Sequence, residues 1–305
     1  MKMVHEIETR SNVRDALKAA LGQLRAAGVP SHTLAAELLL MRVLGRDRPW
    51  LYTHPEELLA PEQQAQFAEM VARRCAGEPT QYLTGKQEFW GREFEVGPGV
   101  LIPRPETEHV VEVALEKLGP PSEGEFFYIA DIGTGSGCLA ITLALALPHS
   151  RVLATDISEN ALVYARRNGE RHGVSSRVNF ECVSLLGIAA GSPSAPAPAS
   201  LQLVVSNPPY VARHDAAALP REIRDHEPAE ALFGGEQGHE FYEPLINEAR
   251  NALAPGGVLV LELGYNSLPR VRSLLDSPHG WSEVGVTNDL AGIPRVISAR
   301  KSPHP

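Results

Sequence analysis

The sequence predicts an α/β protein with a doubly wound, mostly parallel seven-stranded sheet, a small N-terminal helical domain and a linking β-hairpin. Three observations lead to this prediction. Helical periodicity dominates residues 11–76, strand alternation follows over residues 88–102, and strands then alternate with helices to the end of the chain. The predicted domains are a helical domain over residues 1–87, a hairpin linker over 88–103 and a sheet domain over 104–305.

Residues 11–76 show the periodicity of amphipathic helices. Apolar residues recur at the spacing that places them on one helix face, namely Val13, Ala16, Leu17, Ala20, Leu21 and Leu24. Ser31 is predicted to cap a second helix that runs towards Leu44, and Pro61 to open a third helix that ends before Gly77. These helices carry no cluster of catalytic side chains, so the domain is predicted to recognise a substrate.

The sheet domain is predicted from the alternation of apolar strands with helices. Its seven strands are expected near residues 126–132, 151–155, 177–182, 201–205, 257–263, 281–287 and 294–300. Before them, a hairpin is predicted from Glu88 to Ile102, with Gly97, Pro98 and Gly99 as its turn. Ligands of a doubly wound sheet bind at the carboxyl ends of its strands. Residues directly after the strands are therefore the first candidates for a binding site.

A glycine-rich turn follows the first predicted strand of the sheet domain. It consists of Gly133, Thr134, Gly135, Ser136 and Gly137. Glycines allow the backbone to turn sharply and a ligand to approach it closely. The Gly-x-Gly-x-Gly spacing differs from the Gly-x-Gly-x-x-Gly of loops that hold a pyrophosphate. It favours a cofactor without phosphate, S-adenosylmethionine, over NAD, and these five residues are the predicted cofactor-binding loop.

The second strand of the sheet domain ends at Asp156. A carboxylate at a strand end can accept hydrogen bonds from both hydroxyl groups of a ribose, which makes Asp156 a further candidate for cofactor binding. The same carboxylate could instead cap a helix that begins at Ser158.

The tetrapeptide Asn207-Pro208-Pro209-Tyr210 follows the apolar run Leu203-Val204-Val205-Ser206 and indicates methylation of an amide or aromatic amino nitrogen. The lone pair of such a nitrogen is conjugated, so it attacks a sulfonium methyl group only when acceptors hold its two N–H groups at a fixed angle. The Asn207 side-chain carbonyl and the Pro208 main-chain carbonyl can do this, because two prolines stiffen the backbone. Tyr210 adds a flat wall and a hydroxyl group. All four are candidate catalytic residues, and Asn207 is also a candidate cofactor contact.

Context decides how the tetrapeptide is interpreted. An Asn-Pro-Pro stretch after a strand is also ordinary turn chemistry. Here the glycine loop, Asp156 and Asn207 all fall at predicted carboxyl ends of strands. That agreement favours a methyltransferase site.

Composition limits the class of protein. A chain of 305 residues with 43% apolar residues can bury a large core. No stretch has membrane-spanning length and the N-terminus lacks the apolar core of a signal peptide, so a cytoplasmic location without membrane contact is expected. Cys75, Cys138 and Cys182 form no Cys-x-x-Cys pair and the histidines form no ligand pair, so no metal site is predicted. Each cysteine is expected to be a small core residue.

The formal charge of −9 argues against a protein that grips nucleic acid through its phosphates, and no direct DNA binding is expected. The chain does carry local basic clusters. They comprise Arg42, Arg46 and Arg48, and Arg73 with Arg74. These clusters could contact RNA, but charges spaced in this way are more often found on solvated helix faces or at the C-termini of helices.

Two segments depart from the compact α/β pattern. Residues 191–200 are rich in Pro, Ser and Ala and are predicted to form a flexible surface insertion. Residues 211–238 are long for a connection between a strand and a helix, so they form a candidate substrate lid or specificity loop or, alternatively, a decorated surface loop.

Several motifs carry a resemblance to a known family. They are Gly77-Glu78-Pro79 followed by Gln81-Tyr82-Leu83-Thr84-Gly85, Glu88-Phe89, the stretch from Val100 to Glu108, the loop from Asp131 to Gly137, the tetrapeptide from Asn207 to Tyr210 and the stretch from Asp289 to Val296. On these motifs the chain resembles the HemK/PrmC family, the release factor glutamine methyltransferases, from about residue 12 to residue 300. The Ile-Pro-Arg-Pro-Glu-Thr-Glu sequence within the stretch from Val100 to Glu108 separates this family from most other Asn-Pro-Pro-Tyr enzymes.

The resemblance implies a Rossmann-like class I methyltransferase and a specific reaction. A methyl group would pass from S-adenosylmethionine to the side-chain amide nitrogen, N5, of the glutamine in the Gly-Gly-Gln motif of bacterial class I peptide chain release factors. The N-terminal helices would dock the release factor. Ser184 and Leu185 stand where the family commonly has an acidic residue and an aromatic residue at the adenine, so the adenine contact is left unassigned. Gln202 replaces a frequent Asp at a position expected to be structural.

Two other functions share some of these features. An adenine-N6 or guanine-N2 methyltransferase of DNA or RNA uses the same tetrapeptide on a flipped base, and it would require a basic face. A non-catalytic cofactor-binding protein would retain the glycine loop, but it would have no need of the intact tetrapeptide.

Overall fold

A computed structural model of the chain describes residues 10–119, 126–276 and 280–303. The chain forms two compact units. The first runs up to Gly85 and also contains Pro220–His226, and the second contains Lys86–Leu219 and the chain from Glu227 onwards. The division predicted at residues 87 and 103 stays a prediction, and it did not anticipate the inclusion of Pro220–His226 in the helical unit.

Five helices build the first part of the helical unit. They are α1 (Val13–Ala26), α2 (His32–Leu44), α3 (Arg48–Thr53), α4 (Pro61–Cys75) and α5 (Thr80–Thr84). On α1 the predicted apolar face is buried at Val13, Ala16, Ala20 and Leu24. Helix α4 begins at Pro61, as predicted, because a proline fits the first turn of a helix. The two short helices α3 and α5 lack a periodic apolar stripe and were not predicted.

The predicted cap at Ser31 is wrong. Ser31 precedes α2, but its φ is +49° and its side chain makes no capping hydrogen bond. Residues that cap a helix with their side chain usually have extended backbone, whereas Ser31 has left-handed backbone. A side-chain cap is instead found at α3, where Asp47 accepts a 2.9 Å hydrogen bond from the Trp50 N–H group.

Arg74 lies in the last turn of α4, which is one of the two predicted positions for this charge, but its side chain is not solvated. It is buried, pairs with Glu222, and donates a 3.1 Å hydrogen bond to the Glu78 main-chain carbonyl. Glu222 belongs to α9 (Arg221–Arg224). Its ion pair with Arg74 joins this returning segment to the helical unit.

The predicted hairpin exists, but its predicted turn is wrong. Strands β1 (Lys86–Phe89) and β2 (Arg92–Glu95) pair antiparallel around Trp90 and Gly91, which both have positive φ. Two positive φ values are typical of the tight turns that join antiparallel strands. The Glu108 carboxylate holds Trp90 there by accepting a 2.7 Å hydrogen bond from its N–H group. Such a long-range contact cannot be read from the local sequence.

The second unit contains the predicted seven-stranded sheet. Its strands are β3 (Phe127–Ile132), β4 (Ser150–Asp156), β5 (Val178–Cys182), β6 (Leu201–Ser206), β7 (Leu253–Glu262), β8 (Trp281–Asn288) and β9 (Pro294–Lys301). The spatial order is β5-β4-β3-β6-β7-β9-β8, with β9 antiparallel to both of its neighbours and the other pairs parallel. The predicted fold class, a doubly wound and mostly parallel sheet, is confirmed.

Helices cover this sheet and leave a crevice at its centre. They include α6 (Glu108–Leu118), α7 (Cys138–Ala146), α8 (Glu159–Arg171), α10 (Ala229–Leu232), α11 (Tyr242–Ala252) and α12 (Leu268–Leu275). Two separate apolar clusters are packed on the sheet. From β3 the chain proceeds outward through β4 and β5, and then returns to the other side of β3 as β6. The carboxyl ends of β3 and β6 therefore meet at a topological switch point, where such sheets bind ligands.

The segment at 191–200 is hydrogen-bonded to the rest of the unit. Ser192 N–H donates to the Gly187 carbonyl at 3.0 Å, and at the other end Ala199 N–H donates to the Asn251 carbonyl at 3.0 Å. The segment lies at the surface, as the sequence indicates. Its predicted flexibility stays a prediction.

The cysteines have three different environments. Cys138 is buried, Cys75 is half-buried and Cys182 is exposed. The prediction of a core position is therefore wrong for Cys182, because the last residue of β5 lies at the open end of the sheet. Within the described part of the chain, no helix combines the length and apolar character needed to cross a membrane.

Candidate active site

The glycine loop joins β3 to α7. Gly133, Gly135 and Gly137 all have positive φ, a conformation that glycine adopts without steric cost. The N–H groups of Gly133 and Thr134 donate to the Thr155 carbonyl at the end of β4, at 2.8 and 2.9 Å. The loop is therefore fixed to the neighbouring strand before any ligand binds.

Asp131, near the end of β3 before the loop, stabilises the loop by hydrogen bonds. One of its carboxylate oxygens accepts hydrogen bonds from the Thr134 hydroxyl at 2.6 Å and from Ala140 N–H at 3.1 Å. Burial raises the pKa of Asp131 to about 7, and the hydrogen bond from Thr134 lowers it in part. The Thr134 side chain is committed to Asp131, and Ser136 is buried with its main-chain carbonyl bonded to Asn168. These two loop residues support the loop through buried contacts.

Asp156 lies beside the loop at the end of β4. One carboxylate oxygen accepts from Gly135 N–H at 2.9 Å, and the other accepts from Ser158 N–H at 2.9 Å. The pKa of Asp156 is raised by burial, against these backbone hydrogen bonds. Helix α8 is capped by the Ser158 hydroxyl, which accepts from Ala161 N–H at 3.3 Å. The Ile157 N–H group faces the same carboxylate. Since a carboxylate has about four acceptor positions, Asp156 keeps capacity to accept from a ligand.

A cavity opens at the switch point between the loop and the tetrapeptide. Its lining includes Gly133, Gly135, Asp156, Asn207 and Pro209, so the structure brings these predicted residues together. Its charged lining residues are Asp156 and Glu230, and none is basic. A cavity with two carboxylates and no basic side chain disfavours a phosphate and favours a cation.

Apolar side chains form the remaining walls of the cavity. They include Val100, Leu101, Ile157, Val183, Leu185 and Phe241. Leu185 is held with φ of +51°, and its carbonyl accepts a 2.6 Å hydrogen bond from the Thr155 hydroxyl. Leu185 therefore takes part in the wall where the family commonly places an aromatic residue. Ser184 is exposed and does not belong to the lining.

The tetrapeptide begins directly after β6. The Ser206 hydroxyl donates to the Ile132 carbonyl at 2.6 Å, which ties the end of β6 to the end of β3. The Asn207 side-chain NH2 donates to the Thr107 hydroxyl at 3.1 Å. The Tyr210 hydroxyl donates to the Glu262 carboxylate at 3.1 Å. Thr107, which precedes α6, thus holds the Asn207 side chain, and Glu262, the last residue of β7, holds the Tyr210 side chain.

The segment after the tetrapeptide folds back onto it. Val211 N–H donates to the Leu232 carbonyl at 2.9 Å, and Gly234 N–H donates to the Val211 carbonyl at 3.0 Å. A Cβ atom on Gly234 would lie 2.3 Å from the Pro209 carbonyl oxygen. Only a glycine at 234 allows this close approach, which stiffens the backbone of the tetrapeptide from outside.

Thr107 and Glu262 form a buried polar pair under the tetrapeptide. Each is 2% exposed, and the Thr107 hydroxyl donates to Glu262 at 2.6 Å. Burial raises the pKa of Glu262 to about 7, and the hydrogen bonds from Thr107 and Tyr210 lower it in part. Sequence reasoning missed both residues as parts of the site. Thr107 lies inside a motif that carried the family resemblance, whereas Glu262 is a single acidic residue at the end of an apolar strand and gives no signal of its own.

Within residues 10–119, 126–276 and 280–303, no group of three or more His, Cys, Asp or Glu side chains is arranged to hold a metal ion.

The predicted structural position of Gln202 agrees with its contacts. Its side-chain carbonyl accepts a 2.8 Å hydrogen bond from Tyr128 N–H, which joins β6 to β3 at the opposite end of the strands from Asn207.

The fold and the site together define a class I methyltransferase. Family models match the chain in two parts, the PrmC N-terminal domain at residues 15–85 and the methyltransferase small domain at residues 112–225. A release factor glutamine methyltransferase of Koribacter versatilis is 43% identical over 95% of this chain and 98% of its own length. One of Nitratidesulfovibrio vulgaris is 39% identical over 96% of this chain and 97% of its own length. The chain belongs to the family of release factor glutamine methyltransferases.

Solved structures agree with the fold. The catalytic domain of hMettl16 in complex with MAT2A 3'UTR hairpin 6 is 18% identical, with a TM-score of 0.55 over 78% of this chain and 83% of that one. A methyltransferase from Pyrococcus furiosus is 20% identical, with a TM-score of 0.50 over 77% of this chain and 99% of that one. At these identities the likeness shows the methyltransferase fold alone. The family resemblance seen in the motifs is confirmed by the family models and the relatives.

Proposed function

We propose that this enzyme methylates the side-chain amide nitrogen, N5, of the glutamine in the Gly-Gly-Gln motif of bacterial class I peptide chain release factors. The observation that carries the proposal is the position of Asn207 and Pro209 in the lining of the same cavity as the glycine loop and Asp156. The names of the relatives support the release factor as the substrate. The reaction is placed in the cytoplasm, where release factors work.

S-adenosylmethionine is the proposed cofactor, and the residues of the cavity fit it. When bound, it supplies an electrophilic methyl group on a sulfonium cation. Asp156 would accept the two ribose hydroxyls, Gly135 leaves space, with nothing within 4 Å of where its Cβ would stand, and the apolar wall around Leu185 would hold the adenine. The carboxylates of Asp156 and Glu230 suit a cation, whereas the two phosphates of NAD would be repelled.

The tetrapeptide would orient the substrate amide. In the proposed mechanism, the Asn207 side-chain carbonyl and the Pro208 main-chain carbonyl accept the two N–H groups of the glutamine, so that the lone pair of its nitrogen faces the methyl group. Pro209 lines the cavity and keeps the backbone rigid. The Tyr210 hydroxyl is committed to Glu262, so its ring is left as a wall. None of these residues would need to remove a proton before transfer, since the nitrogen would release one of its two N–H protons to solvent once it carries the methyl group.

A transfer assay tests the proposal directly. The purified enzyme is incubated with labelled S-adenosylmethionine and a class I release factor, with the same factor carrying alanine in place of the motif glutamine, and with duplex DNA or RNA. Label is expected on the unmodified release factor only. Label on DNA or RNA without label on the release factor would replace this proposal with nucleic acid methylation.

Asp156→Ala is expected to weaken S-adenosylmethionine binding by about 1.5–3 kcal/mol, because charged hydrogen bonds to the ribose are lost. Isothermal titration measures this, with NAD as the ligand expected to give no heat. Ser158→Ala is the comparison variant within the same cavity, since it removes the cap of α8 and leaves the carboxylate in place. Equal cofactor affinity in Asp156→Ala and the wild type would show that Asp156 serves only the backbone around it.

Removal of residues 1–85 is expected to leave cofactor affinity within about twofold of wild type while kcat/KM on release factor falls by about 100-fold, because docking supplies positioning. The apolar core of the helical unit is made of residues between Val13 and Leu83, so the deletion cuts neither cluster on the sheet. Circular dichroism and cofactor titration establish that the shortened protein is folded. Undiminished kcat/KM would refute the recognition role of the helices.

A further inference from the structure

A continuous chain of hydrogen bonds runs beneath the candidate catalytic asparagine. The Asn207 NH2 donates to the Thr107 hydroxyl oxygen at 3.1 Å, and the Thr107 hydroxyl donates to the Glu262 carboxylate at 2.6 Å. The other carboxylate oxygen of Glu262 accepts from the Tyr210 hydroxyl at 3.1 Å. The first and last members both belong to the tetrapeptide, so Thr107 and Glu262 connect its two polar side chains through the interior.

The chemistry of the chain fixes its direction. An ionised carboxylate only accepts hydrogen bonds, and a threonine hydroxyl has a single proton to donate. Because the Thr107 proton is donated to Glu262, its oxygen can only accept from Asn207. The group of Asn207 that faces Thr107 must therefore be the NH2, and its carbonyl oxygen faces away.

We propose that Thr107 and Glu262 are positioning residues that set the amide of Asn207 with its carbonyl oxygen towards the substrate. The proposal rests on the proposed amide methylation. The two ends of an asparagine amide have nearly the same shape, so shape alone does not choose between its two orientations. The wrong orientation would present an NH2 to the NH2 of the substrate glutamine, and neither could accept from the other.

Glu262→Gln tests the direction of the chain while preserving its shape. A glutamine has one acceptor oxygen in place of two, so it cannot accept from both Tyr210 and Thr107 as Glu262 does. When its carbonyl accepts from Tyr210, its NH2 donates to the oxygen of Thr107, and the Thr107 hydroxyl then donates to Asn207, which selects the reversed amide. When its carbonyl accepts from Thr107 instead, the Tyr210 hydroxyl loses its acceptor. We expect kcat on release factor to fall about 10- to 100-fold, by analogy with the groups that orient metal ligands. KM for release factor and cofactor affinity are expected to stay within about twofold, because Asn207 orientation matters most in the transition state.

Two controls separate positioning from support of the fold. Glu248 is another buried carboxylate, which accepts from the N–H groups of Leu186 and Ala189 at 2.9 and 3.2 Å. Glu248→Gln makes the same chemical change at a distance from the tetrapeptide, and at saturating cofactor its kcat is expected to match the wild type. Thermal unfolding of both variants is measured alongside. A fall in kcat for Glu262→Gln with unchanged thermal stability cannot come from loss of folded enzyme.

The threonine is tested by a second pair of variants. Thr107→Val removes the hydroxyl at nearly constant volume and is expected to lower kcat about 10- to 100-fold, whereas Thr107→Ser is expected to restore most of it. Thr142 is equally buried, and its hydroxyl has no hydrogen-bond partner within the described residues. Thr142→Val is therefore the control for replacing a buried threonine, and wild-type kcat is expected.

The pH dependence gives an independent readout. The titratable and charged groups that face Glu262 are Tyr210, Tyr242, Cys138, Glu106 and Arg295. The pKa of Glu262 is raised to about 7, so its carboxylate form is present above that pH and is lost as the pH falls through it. A protonated Glu262 can donate to Thr107 as the glutamine would. Wild-type kcat is expected to decrease below about pH 7. Glu262→Gln is expected to lack this decrease.

The outcomes distinguish this inference from the proposed function. If the wild-type enzyme does not methylate release factor, that result refutes the proposed function itself. If the wild type is active and Glu262→Gln retains its kcat, or if Thr107→Val loses no more activity than Thr142→Val, the positioning role is overturned. The same decrease in kcat at low pH in wild type and Glu262→Gln would also overturn it.

Discussion

Asn207→Ala is expected to lower kcat on release factor by about 10²–10³-fold, the range found when one oriented polar group is removed from an active site. The lost acceptor counts mainly when the substrate lone pair must face the methyl group, so release factor affinity is expected to change little. Single-turnover kinetics at saturating cofactor measure the chemical step, and titration measures binding. Near wild-type turnover in Asn207→Ala would refute the proposed mechanism.

Asn207→Asp is the more discriminating variant. It keeps the shape of the side chain and offers acceptors to the substrate, but it loses the NH2 that donates to Thr107 at 3.1 Å. The Thr107 hydroxyl would then face carboxylates on both sides, at positions 207 and 262. We expect kcat to fall strongly here as well, because one threonine proton cannot serve two acceptors and the added charge alters the field at the sulfonium. Activity equal to wild type would show that the direction of the Asn207 amide is irrelevant.

Gly137→Ala is expected to lower the free energy of unfolding by about 2–5 kcal/mol, from backbone strain and overpacking together. Gly137 precedes α7 with φ of +83°, and an added Cβ would lie 2.9 Å from Ile141 Cδ1 and 3.3 Å from Ala165 Cβ. Both neighbours are fully buried and have little room to move. Denaturant unfolding of the full-length protein measures the effect.

Gly135→Ala is the matched comparison, two residues away in the same loop. Gly135 also has positive φ, but a Cβ atom added to it would have nothing within 4 Å, and the residue lines the cavity. We expect a loss of about 1–2 kcal/mol in unfolding free energy and a further loss of about 1–3 kcal/mol in cofactor binding, because the new methyl group enters a fitted site. Equal destabilisation by the two substitutions would contradict the view that Gly137 serves packing and Gly135 serves the ligand.

Local patterns in the sequence are sufficient to predict the sheet and most of the cavity. Strand alternation, the glycine spacing and the tetrapeptide all depend on short-range properties of the chain, and the parallel topology then brings the strand ends together. Asp156 and Asn207 can be placed at one edge for this reason. Their shared cavity is therefore a consequence of fold class as much as of individual residues.

The features that sequence analysis missed depend on contacts between distant residues. Thr107 and Glu262 are 155 positions apart, and Arg74 and Glu222 are 148 positions apart. The hairpin turn at Trp90 similarly depends on Glu108. No periodicity within one helix or strand reports such a pairing, because each partner taken alone looks like an ordinary polar residue.

The return of Pro220–His226 to the helical unit has a consequence for anyone who wishes to exchange recognition domains between relatives. If residues 1–85 of a relative replace those of this chain, Glu222 meets a foreign residue in place of Arg74. If residues 1–85 of this chain are moved into a relative that has no carboxylate at the position of Glu222, Arg74 is buried without its partner. A functional hybrid should therefore carry both stretches from the same parent, even though the second one is embedded in the sequence of the catalytic half.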